Sequence, residues 1–106
     1  NFMEEYDLIL SPVLAKPPVK IGEIDMSSPD ITTYIERLSS YSSFTGLYNQ
    51  TGQPSISLPL GFSGNDLPIG SMLTSKFGND ELLISIASQI EKAEPWADKK
   101  PPIYSN

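Results

Sequence analysis

Apolar residues in this chain fall into short runs whose spacing switches between strand-like and helical. Asp7-Leu8-Ile9-Leu10-Ser11 is almost continuously apolar and is closed by Pro12. A run of that length without a polar face fits a strand covered on both sides, in a sheet flanked by helices. Residues 55–60, reading SISLPL, form a second strand pattern, with Pro59 marking its edge or end. Gly61, Gly64, Asn65 and Asp66 supply hairpin turn chemistry, and residues 69–75 read as the return strand. The pattern therefore predicts antiparallel pairing of 55–60 with 69–75 around Gly64-Asn65-Asp66.

Two stretches carry helical spacing. Ser28-Pro29-Asp30 reads as a helix start: a hydroxyl cap, Pro at the first helical position, and an acid in the first turn. Behind it Ile31, Tyr34, Ile35, Leu38 and Tyr41 follow one buried stripe. Ser39, Ser40, Ser42 and Ser43 weaken that helix at its end, because serine competes for backbone hydrogen bonds. The second helix starts after Gly78, with Asn79 as cap and Asp80-Glu81 complementing the dipole. Leu83, Ile86, Ala87 and Ile90 share its apolar face and Pro95 closes it. Between these elements, Pro17, Pro18 and Gly22 forbid long regular structure, and the tail from Pro95 is pinned at most by Trp96. The order strand, loop, helix, antiparallel hairpin, helix gives an α/β or α+β fold with a mixed sheet.

A chain of 106 residues is long enough for one small domain. Three strands that look buried on both faces do not close a sheet by themselves, however. The opening Phe2-Met3-Tyr6 pattern also reads like the last turn of a helix begun upstream. Residues 1–106 are therefore expected to be a single incomplete domain, a piece of something longer.

Composition narrows the function. Net charge is −6, and the seven basic residues are scattered singly apart from Lys99-Lys100. Nucleic acid and anionic membrane faces both need a basic patch, so neither is an expected partner. There is no cysteine and no histidine. That excludes disulfides and thiolate sites, and removes the commonest general base and zinc ligand. Glu4-Glu5 and Asp7 invite a metal reading, but adjacent acids at a helix end ordinarily face water. No metal and no cofactor is expected. No apolar run reaches the length of a membrane span and NFMEEYD is not a signal peptide, so the cytoplasm is the expected compartment.

Residues 44–70 read FTGLYNQTGQPSISLPLGFSGNDLPIG, residues 6–12 read YDLILSP, and residues 95–102 read PWADKKPP. In this order and spacing the chain resembles the C-terminal part of the amidase signature family. The wording of NQTGQP and PWAD is nearer to general amidases, including the 6-aminohexanoate cyclic-dimer hydrolase type, than to the glutamyl-tRNA amidotransferase A subunit. Family members often carry Gln two residues after the hairpin Gly, where this chain has Met72. The resemblance implies hydrolysis of carboxamide C–N bonds in small-molecule amides by a Ser–Ser–Lys triad, with backbone amides holding the oxyanion. It implies no catalytic residue here. Ser27-Ser28, Ser39-Ser40 and Ser42-Ser43 lack the flanking glycines of the catalytic loop. Of the seven basic residues one is Arg37, and the six lysines (Lys16, Lys20, Lys76, Lys92, Lys99, Lys100) sit in polar or loop contexts. The triad is expected upstream of this chain, which would supply sheet strands and part of the acyl pocket. The alternatives are a non-catalytic binding domain on an amidase-like fold and a degenerate relic.

Substrate-binding residues stay unassigned at this level. Asn49 reads either as a polar contact lining a cleft or as a turn residue bonded to its own backbone. Gly52 and Pro54 read as conformational. Tyr34, Tyr41, Phe44 and Tyr48 read either as core or as a wall for an apolar acyl group. Uncovered strand edges in such a piece would favour association with a second copy.

Overall fold

Seven elements follow one another in the computed structural model, which describes residues 2–101 and 103. They are α1 (Phe2–Glu5), β1 (Ile9–Pro12), α2 (Ile31–Tyr41), α3 (Thr45–Thr51), β2 (Ser55–Phe62), β3 (Pro68–Thr74) and α4 (Asp80–Ala93). The three strands form one sheet in the order β1-β3-β2, with both pairings antiparallel. The α+β architecture and the hairpin expected from the pattern are both present. Among the described residues the sheet contains no parallel pair.

The hairpin pairs Ser55 with Thr74, Ile56 with Leu73, Ser57 with Met72 and Leu58 with Ser71. Pairing then resumes at Gly61 with Ile69, so β2 carries one extra residue in the Pro59-Leu60 region. A bulge on an edge strand tolerates Pro59, which has no amide to donate, and the strand runs on to Phe62 instead of ending there. The turn is organised by Ser63, whose hydroxyl accepts from the Asn65 and Leu67 amides. Asp66 takes the left-handed conformation (φ 58°), which acids tolerate better than most side chains.

Opposite residues share a face of an antiparallel sheet, so the register sorts the side chains. Leu58 and Leu73 lie on the face covered by α4, and with Leu83 they are the buried apolar cluster. Ile86, Ala87, Ile90 and Trp96 pack around it, as the helical spacing and the tail anchor predicted. Ser55, Ser57, Met72 and Thr74 occupy the other face, with Ser11 across from Met72 on β1. At the end of β3, Ser75 is fully buried. Its hydroxyl donates to the Asp7 carbonyl and accepts from Asn79, while its carbonyl accepts from Gln53. One small residue thus ties together the chain entering β1, the approach to β2 and the start of α4.

Several expectations are corrected. β1 is a four-residue edge strand beginning at Ile9, and Leu10 is 69% exposed, so one face that reads as buried is open. The cap of α2 is Asp30, not Ser28. The Ser28 hydroxyl accepts from the Asp30 amide, which frees the Asp30 carboxylate to accept from the Thr33 amide and hydroxyl. Pro29 therefore precedes the helix. The α2 stripe is only partly covered: Ile31 and Ile35 are exposed, while Tyr34, Leu38 and Tyr41 are half-buried. Asn79 does occupy the cap position of α4, but its side chain serves Ser75 and not the helix. Helix α3 has no counterpart in the periodicity of the sequence.

The accessible surface is 8089 Å², where a compact monomer of this mass exposes about 5,800 Å². The radius of gyration is 16.4 Å, against about 13 Å for a compact domain of similar length. Much apolar area is open to solvent, including Phe2, Leu10, Ile21, Met26, Ile31 and Phe77.

Candidate functional site

α3 is built from residues with weak helical preference, which is why periodicity does not reveal it. What ends it is legible: Gly52 is left-handed (φ 69°) and its amide bonds the Tyr48 carbonyl, a C-terminal cap open to glycine. The chain then turns through Gln53 and Pro54 into β2. Gln53 Nε2 reaches the Ser75 carbonyl at 3.1 Å, and Ser55 and Thr74 share a hydroxyl hydrogen bond of 2.7 Å. These links set α3 beside the Ser55–Ser57–Met72 face of the sheet.

A groove of about 340 Å³ opens between them, lined by Val13, Thr45, Tyr48, Asn49, Gln53, Ser55, Ile56, Ser57 and Met72. No charged side chain takes part. Thr45, Gln53 and Ser55 are engaged in hydrogen bonds within the protein. The side chains of Tyr48, Asn49 and Ser57 have no hydrogen-bond partner among the described residues. A second depression, of about 420 Å³, lies under the Pro-rich loop and shares Val13 and Ser57 with the first. Gly70 sits below that waist: a Cβ there would lie 2.8 Å from both Ser57 Oγ and Val13 Cγ2.

The structure separates the residues singled out by sequence. Asn49 lies within α3, not in a turn, and is among the residues that line the groove. Of the four aromatic candidates only Tyr48 lines it; Tyr34, Tyr41 and Phe44 do not. Gly52 and Pro54 are conformational, as read, the latter also accepting from the Ser75 amide. Sequence reasoning missed Gln53, Thr74 and Ser75, buried or half-buried polar residues with no periodic signal. Among the described residues no three or more acids gather into a cluster.

The hydroxyls of the serine pairs are drawn into local hydrogen bonds. The Ser27 hydroxyl bonds Asp25, the Ser40 hydroxyl donates to the Arg37 carbonyl, and that of Ser43 donates to the Ser39 carbonyl. Lys16 Nζ does approach Ser40 Oγ at 3.2 Å, but both residues are exposed and the serine proton is directed at a carbonyl. All six lysines are exposed, and Lys99 lies over the Phe62 ring at 4.4 Å. Two acids are shifted, both by local capping. The Ser27 hydroxyl and then its amide hold Asp25 below the usual carboxylate range, and the Thr33 hydroxyl and then its amide do the same for Asp30.

Three comparisons place this geometry among known proteins. The family model described as Amidase matches residues 1–84. The "Putative amidase AmiC" of Mycobacterium tuberculosis is 40% identical over 97 residues, covering 92% of this chain and 20% of that protein. The 6-aminohexanoate-cyclic-dimer hydrolase of Paenarthrobacter ureafaciens is 32% identical over 105 residues, covering 94% of this chain and 21% of that protein. A solved structure of 6-aminohexanoate cyclic dimer hydrolase superposes with a TM-score of 0.78 at 31% identity, over 92% of this chain and 21% of that one. The chain thus spans about a fifth of the length of the relatives it matches.

Proposed function

The chain belongs to the amidase family, and from that premise we propose that it is the C-terminal part of an enzyme hydrolysing carboxamide C–N bonds. In this reading a Ser–Ser–Lys triad lies upstream, outside the chain. The chain contributes the β1-β3-β2 sheet, the α4 layer and one wall of the acyl pocket. The substrate is a small neutral amide, of the class to which the cyclic dimer named for its relatives belongs. The cytoplasm is the proposed compartment; no helix among the described residues is long and apolar enough to cross a membrane.

The observation that carries this reading is the conjunction of family membership with surplus surface. The fold matches a fifth of a larger hydrolase, and it exposes about 2,000 Å² more than a compact monomer would. That surplus includes exposed large apolar side chains such as Leu10, Ile21, Met26 and Phe77, which are ordinarily covered by a neighbouring part of the same protein or by a partner. The serine that has a lysine beside it, Ser40, is exposed and directs its proton at the Arg37 carbonyl, which agrees with chemistry performed elsewhere.

The test is hydrolysis itself. The full-length protein containing this sequence should release ammonia or amine from a panel of aliphatic and aromatic amides, while the 106-residue chain alone should release none. Activity of the isolated chain that a serine substitution within it abolishes would sink the proposal.

A further inference from the structure

We infer that the groove between α3 and β2 receives the non-reacting end of the acyl chain when that end bears an uncharged polar group, and that Asn49 selects it. The inference rests on the reading above that this chain is part of an amidase. On that reading the reacting carbonyl is held by the triad upstream, and neither groove serine, Ser55 or Ser57, has a lysine or other base among the described lining residues. The groove is thereby left to a segment of the ligand other than the reacting carbonyl.

The lining decides what that segment is. The floor is apolar where the buried Met72 and Val13 line it, while the Ile56 side chain packs with the α4-side cluster on the opposite face. A methionine floor adapts to an unbranched chain. At the rim, Asn49 presents a carboxamide with both donor and acceptor groups and Tyr48 a hydroxyl, neither of them engaged among the described residues. A carboxamide is the natural complement of another amide, since each supplies what the other lacks. A carboxylate or ammonium entering the same space would lose water and find no counter-charge, despite the net charge of −6 carried elsewhere on the chain.

Four amides sharing one chain length test this on the full-length protein: adipamide, hexanamide, 6-aminohexanamide and adipic acid monoamide. Adipamide should show the highest kcat/KM, and the two ionic compounds should fall about tenfold or more below hexanamide. Asn49→Leu should erase the advantage of adipamide over hexanamide. Asn49→Asp, of the same shape but charged, should raise 6-aminohexanamide relative to hexanamide about tenfold through KM, with kcat within about twofold. Substrate ratios unchanged in both variants, with hydrolysis intact, would overturn the inference and leave the amidase reading standing. Calorimetric titration of adipamide needs no turnover and separates the two. Binding to the wild type that Asn49→Leu weakens, without hydrolysis, would keep the groove assignment and end the amidase reading. Neither binding nor hydrolysis would end both.

Discussion

Gly70 shows how one position governs two depressions at once. Its missing side chain lets Val13 and Ser57 close over β3, with both contacts at 2.8 Å from where a Cβ would stand. Neither neighbour is the far end of a long flexible side chain, so a methyl group must push the loop or β2 aside. Gly70→Ala is expected to destabilise the protein by about 1–2 kcal/mol in urea unfolding. Val13→Ala should recover part of that loss when combined with it, as coupled neighbours do. Strict additivity of the two changes would show that the waist is not where the strain goes. The same scale explains the polar residues that pattern reading overlooked. Ser75 is small and polar at the end of an apolar run, and nothing local announces that three segments converge on it.

At the scale of elements, α2 and α4 start from similar sequences and end in different situations. α4 lays Leu83 into the cleft between Leu58 and Leu73 and is held by packing. α2 depends on its termini and on a few exposed links, such as Arg37 Nη1 to the Glu23 carbonyl. Its Asp30 cap has a carboxyl pKa lowered in the folded state, chiefly by the Thr33 hydroxyl. A lowered folded-state pKa gives stability that is fully present above the ordinary carboxylate value and is lost as pH falls through the folded one. Amide exchange at Thr33 should therefore be insensitive to pH-driven opening near neutrality and should accelerate on acidification below the usual carboxylate range. Asp30→Asn should remove that acid step while keeping a capping side chain. An opening transition of α2 at neutral pH would contradict this account. The difference between the helices is only half legible: both stripes are visible in the sequence, but burial of a stripe requires a partner surface, which the sheet gives α4 while Ile31 and Ile35 of α2 stay exposed.

Over the whole molecule, surface and shape agree. A radius of gyration of 16.4 Å and an accessible surface of 8089 Å² describe a sheet with two open edges and one packed layer. β1 is one of those edges, with Leu10 turned to solvent; β2 is the other, blunted by Pro59 and its bulge. The isolated 106-residue chain is expected to bind an apolar dye and to associate with rising concentration in light scattering, through the β1 edge in preference to β2. Leu10→Lys should suppress that association. A strictly monomeric, dye-silent chain with a sharp unfolding transition would show that the exposed area needs no cover, and the reading of the chain as part of a larger domain would have to be withdrawn.

What the sequence by itself determined is local: turn chemistry at Gly64-Asn65-Asp66, strand alternation around it, the apolar face of α4, and the motif order by which the family is recognised. These follow from dihedral preference and periodicity, which act over a few residues. The serine pairs lack the flanking glycines of the family's catalytic loop, and in the structure the Ser27 hydroxyl bonds the Asp25 carboxylate while those of Ser40 and Ser43 bond backbone carbonyls. Tertiary structure alone decided that β3 lies between β1 and β2, that Leu10 stays uncovered, and that Asn49 and Tyr48 face Met72 across a groove. Each of these depends on which distant surfaces meet. In α3 the residues lack strong helical preference, and it is the Gly52 cap and the Gln53–Ser75 link that hold it against the sheet.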